Sequence, residues 1–336
     1  MASRKNRSIK YLIVALGIIN MFMLVRLITL YAPISGALGD AVSVKAQMGR
    51  RAHAIAAPTA PSVATAPSAA DPSDATAHSI AADQTVPALY DTDFSAMIDV
   101  ADIEDTRFLE LVNHGHPVAR EADAAAIVPA WPGLPVSHTD ISLHERAREA
   151  AIELFAEARS ESVAAGTGSF YVSSGYRDYD KQEQLYNEIG DKTYAQPPGH
   201  SEHQTGLAID IMALGVHQSE MAASREGRWL AQNAWKHGFI LRYADDKQGI
   251  TGIAGEPWHF RYIGRPHARH CYENNLSLEE YILFLKESGG YEAEHGGIYY
   301  YVLYQQPLNS TLYVPDNMEY SISGDNAGGF IITAWQ

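Results

Sequence analysis

The chain has 336 residues, 46% of them hydrophobic and 10% aromatic, with a formal net charge of −15 and a single cysteine. That length allows one large domain or two modest ones with tails, and the acidic balance supplies no electrostatic footprint for nucleic acid, so no nucleic-acid partner is expected. One thiol, Cys271, excludes an internal disulfide and a cysteine-rich metal site, so any metal has to be held by histidine and carboxylate. Cys271 itself reads as a half-buried packing residue.

The first residues, 1–10, form a basic tail with Arg4, Lys5, Arg7 and Lys10. An apolar run at 11–31 follows, interrupted by Asn20 and Arg26. Its length matches the roughly 20 residues a helix needs to cross a bilayer. Basic residues ahead of it predict an N-terminus inside and the bulk of the chain outside. Arg26 lies near the outer end, where its charge can reach the interface. The run is apolar on every face, which suits a lipid-facing helix better than a helix of a soluble core. The expectation is a single-pass signal anchor in the cytoplasmic membrane, with an extracytoplasmic body. A cleaved signal peptide is the alternative, since Ser35, Gly36 and Ala37 supply small residues after the run. Residues 32–90 are read as a linker. The stretch 53–88 is rich in Ala, Pro, Ser and Thr and holds too few large apolar side chains to offset its ordering entropy.

The folded body is expected at 91–290. Residues 143–159 (LHERAREAAIELFAEAR) have helical spacing and good helix formers. Residues 170–173 form a short apolar strand, 178–189 a second helix, and 207–212 (LAIDIM) a buried strand. A helix at 228–237 is closed by Gly238. Residues 239–243 and 258–262 are strand-like, and Ser277 with Glu280 forms a capping box for a last helix. Helices and strands without regular alternation indicate α+β, with mixed helices around a small antiparallel sheet. Beyond Gly289 and Gly290, four β-rich runs at 298–304, 311–314, 319–322 and 330–335 predict a small all-β C-terminal module over 291–336. At that size it should pack on the main body.

Three stretches carry residues suited to chemistry: 174–182 (SGYRDYDKQ), 199–210 (GHSEHQTGLAID) and 256–260 (EPWHF). His203 and Asp210 are separated by six residues, with Gly206 between them to permit a tight turn. Asp210 interrupts an apolar run, where an ionised carboxylate is costly unless it is paired or binds a metal. His259 offers a second imidazole. Three protein ligands with an open fourth position are what a catalytic zinc requires. Glu256, three residues before His259, is placed to take a proton from a metal-activated water and return it to a leaving amine. Pro257 argues against an ordinary helix there, so Glu256 and His259 should lie on a loop entering a strand. On spacing alone, a buried Asp210 paired with an arginine and core histidines without a metal fit as well.

Together the three stretches resemble the VanY-type zinc D-alanyl-D-alanine carboxypeptidases, a group with related D,D-dipeptidases, L,D-carboxypeptidases and phage endopeptidases. Their pattern is S-G-Y-R, then S-x-H-x-x-G-x-A-x-D, then E-x-W-H. It is matched by Ser174, Gly175, Tyr176 and Arg177, then by Ser201, His203, Gly206, Ala208 and Asp210, then by Glu256, Trp258 and His259. The resemblance runs from about 109 to 285. It implies a single Zn²⁺ site held by His203, Asp210 and His259, with Glu256 as catalytic base. It also implies that Arg177 contacts the substrate carbonyl or terminal carboxylate, with Gln182 and Ser201 at substrate-contacting positions.

The implied activity is removal of a terminal D-Ala from peptidoglycan stem peptides. An L,D-carboxypeptidase or endopeptidase and a non-catalytic zinc-containing wall-binding module stay open as alternatives, and housekeeping trimming and glycopeptide resistance are both compatible with the pattern. His200, His217, His237, His267 and His270 read as surface or helix-end residues. His114 and His116 are candidates for a groove wall, Trp229, Trp235 and Trp258 for core, and Arg242 and Arg261 for ordinary ion pairs.

Overall fold

A computed structural model describes residues 94–161, 170–189 and 195–336. The expected anchor at 11–31 and the linker up to residue 90 lie outside the described residues. Among the described residues no helix is long and apolar enough to cross a membrane.

The body starts with strand β1 (Ala96–Asp99) and the hairpin-like pair β2 (Ile127–Pro129) and β3 (Ser142–His144). Helix α1 (Glu145–Ser160) follows, starting two residues later than its sequence period indicates because residues 142–144 pair with β2. It buries Ala147, Ala150, Ala151, Leu154, Phe155 and Ala158, the i, i+3, i+4 stripe of one helical face. Strand β4 (Phe170–Ser174), helix α2 (Tyr179–Glu188) and strand β5 (Ala208–Ala213) come next. Helix α3 (Arg225–Asn233) begins at the Ser224 cap, earlier than expected, and tightens into a 3-10 turn that ends at Gly238 with φ of 84°. Then come β6 (Phe239–Leu241), the one-turn α4 (Gln248–Thr251), β7 (His259–Tyr262), α5 (Arg265–Glu273) and α6 (Leu278–Ser288). The Ser277–Glu280 capping box is formed as expected.

The central sheet is antiparallel in the order β4-β5-β7-β6. Side chains alternate across it. Ile209, Ile211, Phe260 and Phe239 point into the core shared with Leu154 and Phe155 of α1. Asp210 and His259, directly paired in the register, point to the other face.

After α6 the chain forms β8 (Gly290–His295), β9 (Ile298–Gln305), β10 (Thr311–Val314), β11 (Glu319–Gly324) and β12 (Phe330–Trp335). Four of these make an antiparallel sheet in the order β11-β12-β9-β8. One face buries Val302, Tyr304 and Ile331 against Ala268, Cys271, Tyr281 and Leu285 of α5 and α6. Its other face buries Leu303, Ile322 and Ile332 with Leu312 and Val314, and β10 pairs with β1 from the start of the body. The fold is mixed α and β with small antiparallel sheets.

Helix α5 and strands β1, β2, β3 and β8 were not expected from the sequence. Cys271 is fully rather than half buried, at 2% exposure, and burial pushes its thiol up.

His267 is a second correction. Sequence reading puts it at the surface or a helix end, yet it lies inside α5, with Nδ1 2.6 Å from the Tyr281 hydroxyl and Nε2 3.0 Å from Thr333 Oγ1. Burial lowers its pKa from 6.5 to about 3. The folded chain therefore keeps this ring neutral where the unfolded chain protonates it. Stability contributed by the neutral ring is complete above about pH 6.5 and is lost as pH falls toward 3, by up to about 1.4 kcal/mol per pH unit. Urea unfolding of wild type and His267→Gln across this window is expected to show a shallower acid dependence in the variant. Equal slopes would remove His267 as the source.

Candidate metal and catalytic site

The second motif folds as a 3-10 turn, Glu202–Thr205, closed by Gly206 at φ of 72°. Only glycine suits this position: a Cβ would lie 2.5 Å from Ile127 Cδ1 and 3.1 Å from the His144 amide, in a left-handed backbone. The turn delivers the chain into β5, so His203 and Asp210 come to one place. The third motif forms a turn in which the His259 amide donates to the Glu256 carbonyl at 3.0 Å, and His259 opens β7. This is the loop-into-strand arrangement expected from Pro257.

His203, Asp210 and His259 each offer one ligand atom, and these atoms all lie within 4.8 Å of one another. Asp210 Oδ1 is 3.5 Å from His203 Nε2 and 3.1 Å from His259 Nδ1. The other nitrogen of each ring is engaged. His203 Nδ1 meets the Gly175 carbonyl at 2.7 Å, and His259 Nε2 meets Glu202 Oε2 at 3.3 Å. A proton on each outer nitrogen leaves the inner lone pairs converging beside the carboxylate, the usual arrangement behind metal-bound imidazoles.

Asp210 Oδ1 is buried and has no hydrogen-bond partner. An orphaned carboxylate oxygen is costly unless a cation is its partner. Burial alone would raise the Asp210 carboxyl, but His203 and His259 beside it hold it well below the usual carboxylate range. Two imidazoles and one carboxylate oxygen, with room beside them, fit a zinc ion with an open position.

Glu256 Oε2 stands 3.6 Å from His259 Nδ1, outside the three-atom cluster. Burial raises its pKa above the usual value of 4.5, and nearby Asp210 adds to the rise while His259 and Arg177 oppose it. A carboxylate tuned upward in this way is suited to both taking and returning a proton.

Arg177 reaches the same place from the loop after β4. Its amide donates to the His203 carbonyl at 3.1 Å, its Nε to Gln182 Oε1 at 3.0 Å and its Nη1 to Ser174 Oγ at 2.7 Å. The guanidinium is thereby held rigidly with its charge toward Asp210 and Glu256.

A cavity of about 240 Å³ opens over these groups, with Gln196, Gln218, Tyr243, Ile253 and Trp258 among the residues of its wall. Gln182 and Ser201 also reach it. The Gln182 amide, however, is fully buried and binds Arg177 and the Gln196 carbonyl, so Gln182 sits behind Arg177. His114 and His116 do not line the cavity. His114 is exposed and packs on His200, and His116 bonds to Asn113. Trp258 is half-buried at the cavity wall, whereas Trp229 lies in the core.

Glu202 was missed by sequence reading, although it lies inside the second motif. It is fully buried beside Arg242 and Arg261, which form ion pairs as expected, but deep inside the protein. Burial alone would push the Glu202 carboxyl up, and the two guanidiniums hold it well below the usual carboxylate range. A charged residue next to a metal ligand, with two arginines in strand-like runs, was the available signal.

A fold and site of this kind define a mixed α and β protein with a His, Asp, His cluster able to hold a metal ion. Residues 140–265 match the family model VanY, described as D-alanyl-D-alanine carboxypeptidase. A D-alanyl-D-alanine carboxypeptidase of Enterococcus faecium is 44% identical over 182 residues, covering 54% of this chain and 59% of that protein. The bifunctional D-Ala-D-Ala dipeptidase and D-Ala-D-Ala carboxypeptidase VanXYC of Enterococcus gallinarum is 32% identical over 195 residues, covering 54% of this chain and 96% of its own length. The solved vancomycin resistance D,D-dipeptidase VanXYg, in complex with a D-Ala-D-Ala phosphinate analog, superposes with a TM-score of 0.61 at 32% identity, covering 72% of this chain and 98% of that one. The chain belongs to the VanY family. It spans about half the length of several curated relatives, at 59% of the Enterococcus faecium protein and 52% of a homologous carboxypeptidase of Enterococcus faecalis.

Proposed function

We propose that the protein is a zinc-dependent D,D-carboxypeptidase that removes the C-terminal D-Ala from peptidoglycan stem peptides. The observation that carries this reading is the convergence of His203, Asp210 and His259 within 4.8 Å, with Glu256 beside them at the floor of an open cavity. In the same reading the body works outside the cytoplasmic membrane, held by an anchor at 11–31 through the linker 32–90, and 291–336 is a small all-β module on a catalytic domain at 91–290.

His203, Asp210 and His259 would hold a zinc ion, which would supply Lewis-acid activation of a water and of the scissile carbonyl. Glu256 accepts the proton of the attacking water and passes it to the departing D-Ala amine. Arg177 supplies a fixed positive charge to the carbonyl oxygen as it becomes negative, or to the terminal carboxylate of the substrate. The wall of Trp258 and Tyr243 keeps bulk water from the reacting carbonyl. Ser201, at the mouth of the turn that carries His203, contacts the peptide.

The test uses purified full-length protein with zinc and a stem pentapeptide ending in D-Ala-D-Ala. D-Ala release that stops on chelation and returns with zinc is expected, and no release under any metal condition would end the proposal. A second reading, hydrolysis of free D-Ala-D-Ala, is favoured by the near-complete coverage of the D,D-dipeptidase VanXYg. Comparing kcat/KM on pentapeptide and free dipeptide separates the two.

Arg177 yields a further prediction. Arg177→Ala is expected to lower kcat/KM by about 10²–10³-fold, the loss typical of one oxyanion donor, with zinc content unchanged. Steady-state kinetics beside metal analysis checks it. A fall smaller than this range would remove Arg177 from the oxyanion role.

A further inference from the structure

Glu202 separates the two motif residues Ser201 and His203 in sequence and lies behind the metal ligands in space. Its two oxygens have different partners. Oε1 accepts from Arg242 Nε at 2.8 Å and from Arg261 Nη1 at 3.0 Å. Oε2 lies 3.3 Å from His259 Nε2. Arg242 is gripped again from the far side by Glu279, through Nη1 at 2.8 Å and Nη2 at 2.6 Å. Arg261 Nη2 donates to the carbonyls of Phe108 at 3.2 Å and Glu110 at 3.0 Å. Glu202, Arg242 and Arg261 are all buried side chains, and with Glu279 the two carboxylates balance the two guanidiniums.

Donor and acceptor chemistry limits what this cluster can do. A guanidinium donates and never accepts, and an ionised carboxylate accepts and never donates. The group facing Arg242 and Arg261 must therefore be an oxygen. The other oxygen, facing His259, can only receive a proton from Nε2. That makes Nδ1 the ring nitrogen of His259 that faces Asp210 and the ligand cluster, free to give up its proton to an incoming ion.

We propose that Glu202 is a positioning residue for the metal centre: it fixes His259 as the Nε2–H tautomer with Nδ1 presented to the ion, and Arg242 and Arg261 fix Glu202. The proposal rests on the zinc reading above. Glu202 acts through His259 and is not itself a ligand, because both of its oxygens already have partners. Outer partners of this type commonly contribute 10–100-fold to metal affinity.

The informative substitution changes one atom. In Glu202→Gln, the amide oxygen has to face the arginines, which forces the amide NH₂ toward His259 Nε2. Nε2 must then accept, and the ring proton moves to Nδ1, where it competes with the ion. Zinc affinity measured by chelator competition is expected to fall about 10–100-fold. The control is Glu279→Gln, which removes the same charge from the far end of the cluster but keeps an oxygen for Arg242 and leaves the Glu202–His259 contact intact. It is expected to melt at lower temperature and to hold zinc within about threefold of wild type, well inside the range of an outer-partner loss.

Equal zinc loss in both variants, or wild-type affinity in Glu202→Gln, overturns the positioning role. If Glu202→Gln does not fold, the ¹⁵N imidazole spectrum of zinc-loaded wild type decides: a protonated Nε2 with Nδ1 on the metal upholds the proposal, and Nε2 on the metal overturns it. A wild-type chain that binds no zinc at all is a separate outcome, which overturns the zinc reading together with this one.

Discussion

Glu256→Gln is expected to keep its zinc and lose turnover, with kcat reduced by about 10²–10⁴-fold, the usual contribution of a positioned acid–base group. The glutamate is not among the three atoms that converge on the ion position, so its removal leaves the ligand set intact. Its backbone is held independently of its side chain, by the Glu256 amide to the Tyr243 carbonyl at 2.8 Å and the His259 amide to the Glu256 carbonyl at 3.0 Å. A glutamine should therefore occupy the same place without the ability to take a proton.

The pH profile is a second readout of the same group. Burial raises the Glu256 pKa, and the group must be ionised to act as a base. Activity should fall as pH drops through the pKa of this carboxyl, so kcat/KM should show an acid limb that is absent from the residual activity of Glu256→Gln. Parallel zinc analysis and steady-state kinetics check both points. A variant that loses metal along with activity would show that Glu256 is a ligand and not a base.

Removal of the ion should have the other large effect. Chelation, or His203→Ala, is expected to abolish hydrolysis and to lower thermal stability. Among the described residues, the three candidate ligands sit at the junction of β5, β7 and the turn before β5, and Asp210 Oδ1 has no hydrogen-bond partner beyond its close approach to the two imidazoles. Without the cation, the Asp210 charge is answered by His259: burial alone would lower the pKa of this ring, but its contacts with Asp210 and Glu202 raise it to about 9. At a free zinc concentration 100 times Kd, binding to the folded chain alone stabilises it by about 2.7 kcal/mol. Calorimetry of the chelated protein with and without added zinc measures this difference. An unchanged Tm, with zinc shown to bind, would mean that the unfolded chain holds the ion equally well.

How much of this was legible in the sequence depended on whether the information was local. The runs at 311–314 and 330–335 coincide with β10 and β12, because short β-rich stretches bounded by turn residues carry their own signal. The capping box at Ser277 marked the start of α6 for the same reason. His203, Asp210, His259 and Glu256 were legible as a motif set because their chemistry restricts residue type and spacing.

Pairings across long distances were not legible. Strand β1 joins β10 through Ala96 and Val314, and no local pattern announces it. Glu202 finds its arginines 40 and 59 residues away, so a motif position that tolerates any residue in the pattern became a buried charge cluster. Helix α5 was missed because Arg, His and Pro interrupt its apolar stripe, although Gly264 followed by Pro266 was a start signal. The burial of His267 follows from Tyr281 and Thr333, which only the packing of α5, α6 and β12 brings to it.

Asp210 and His259 lie opposite each other in the ladder between β5 and β7. A pairing shifted by one residue would turn one of them to the far face, among Ile209, Phe260 and their neighbours, and leave no site. The ion thus proofreads strand alignment: a chain zipped out of register receives nothing from it, and a correctly zipped chain is held. Bound zinc per chain after refolding is then a count of correctly aligned molecules, obtainable before any substrate is added.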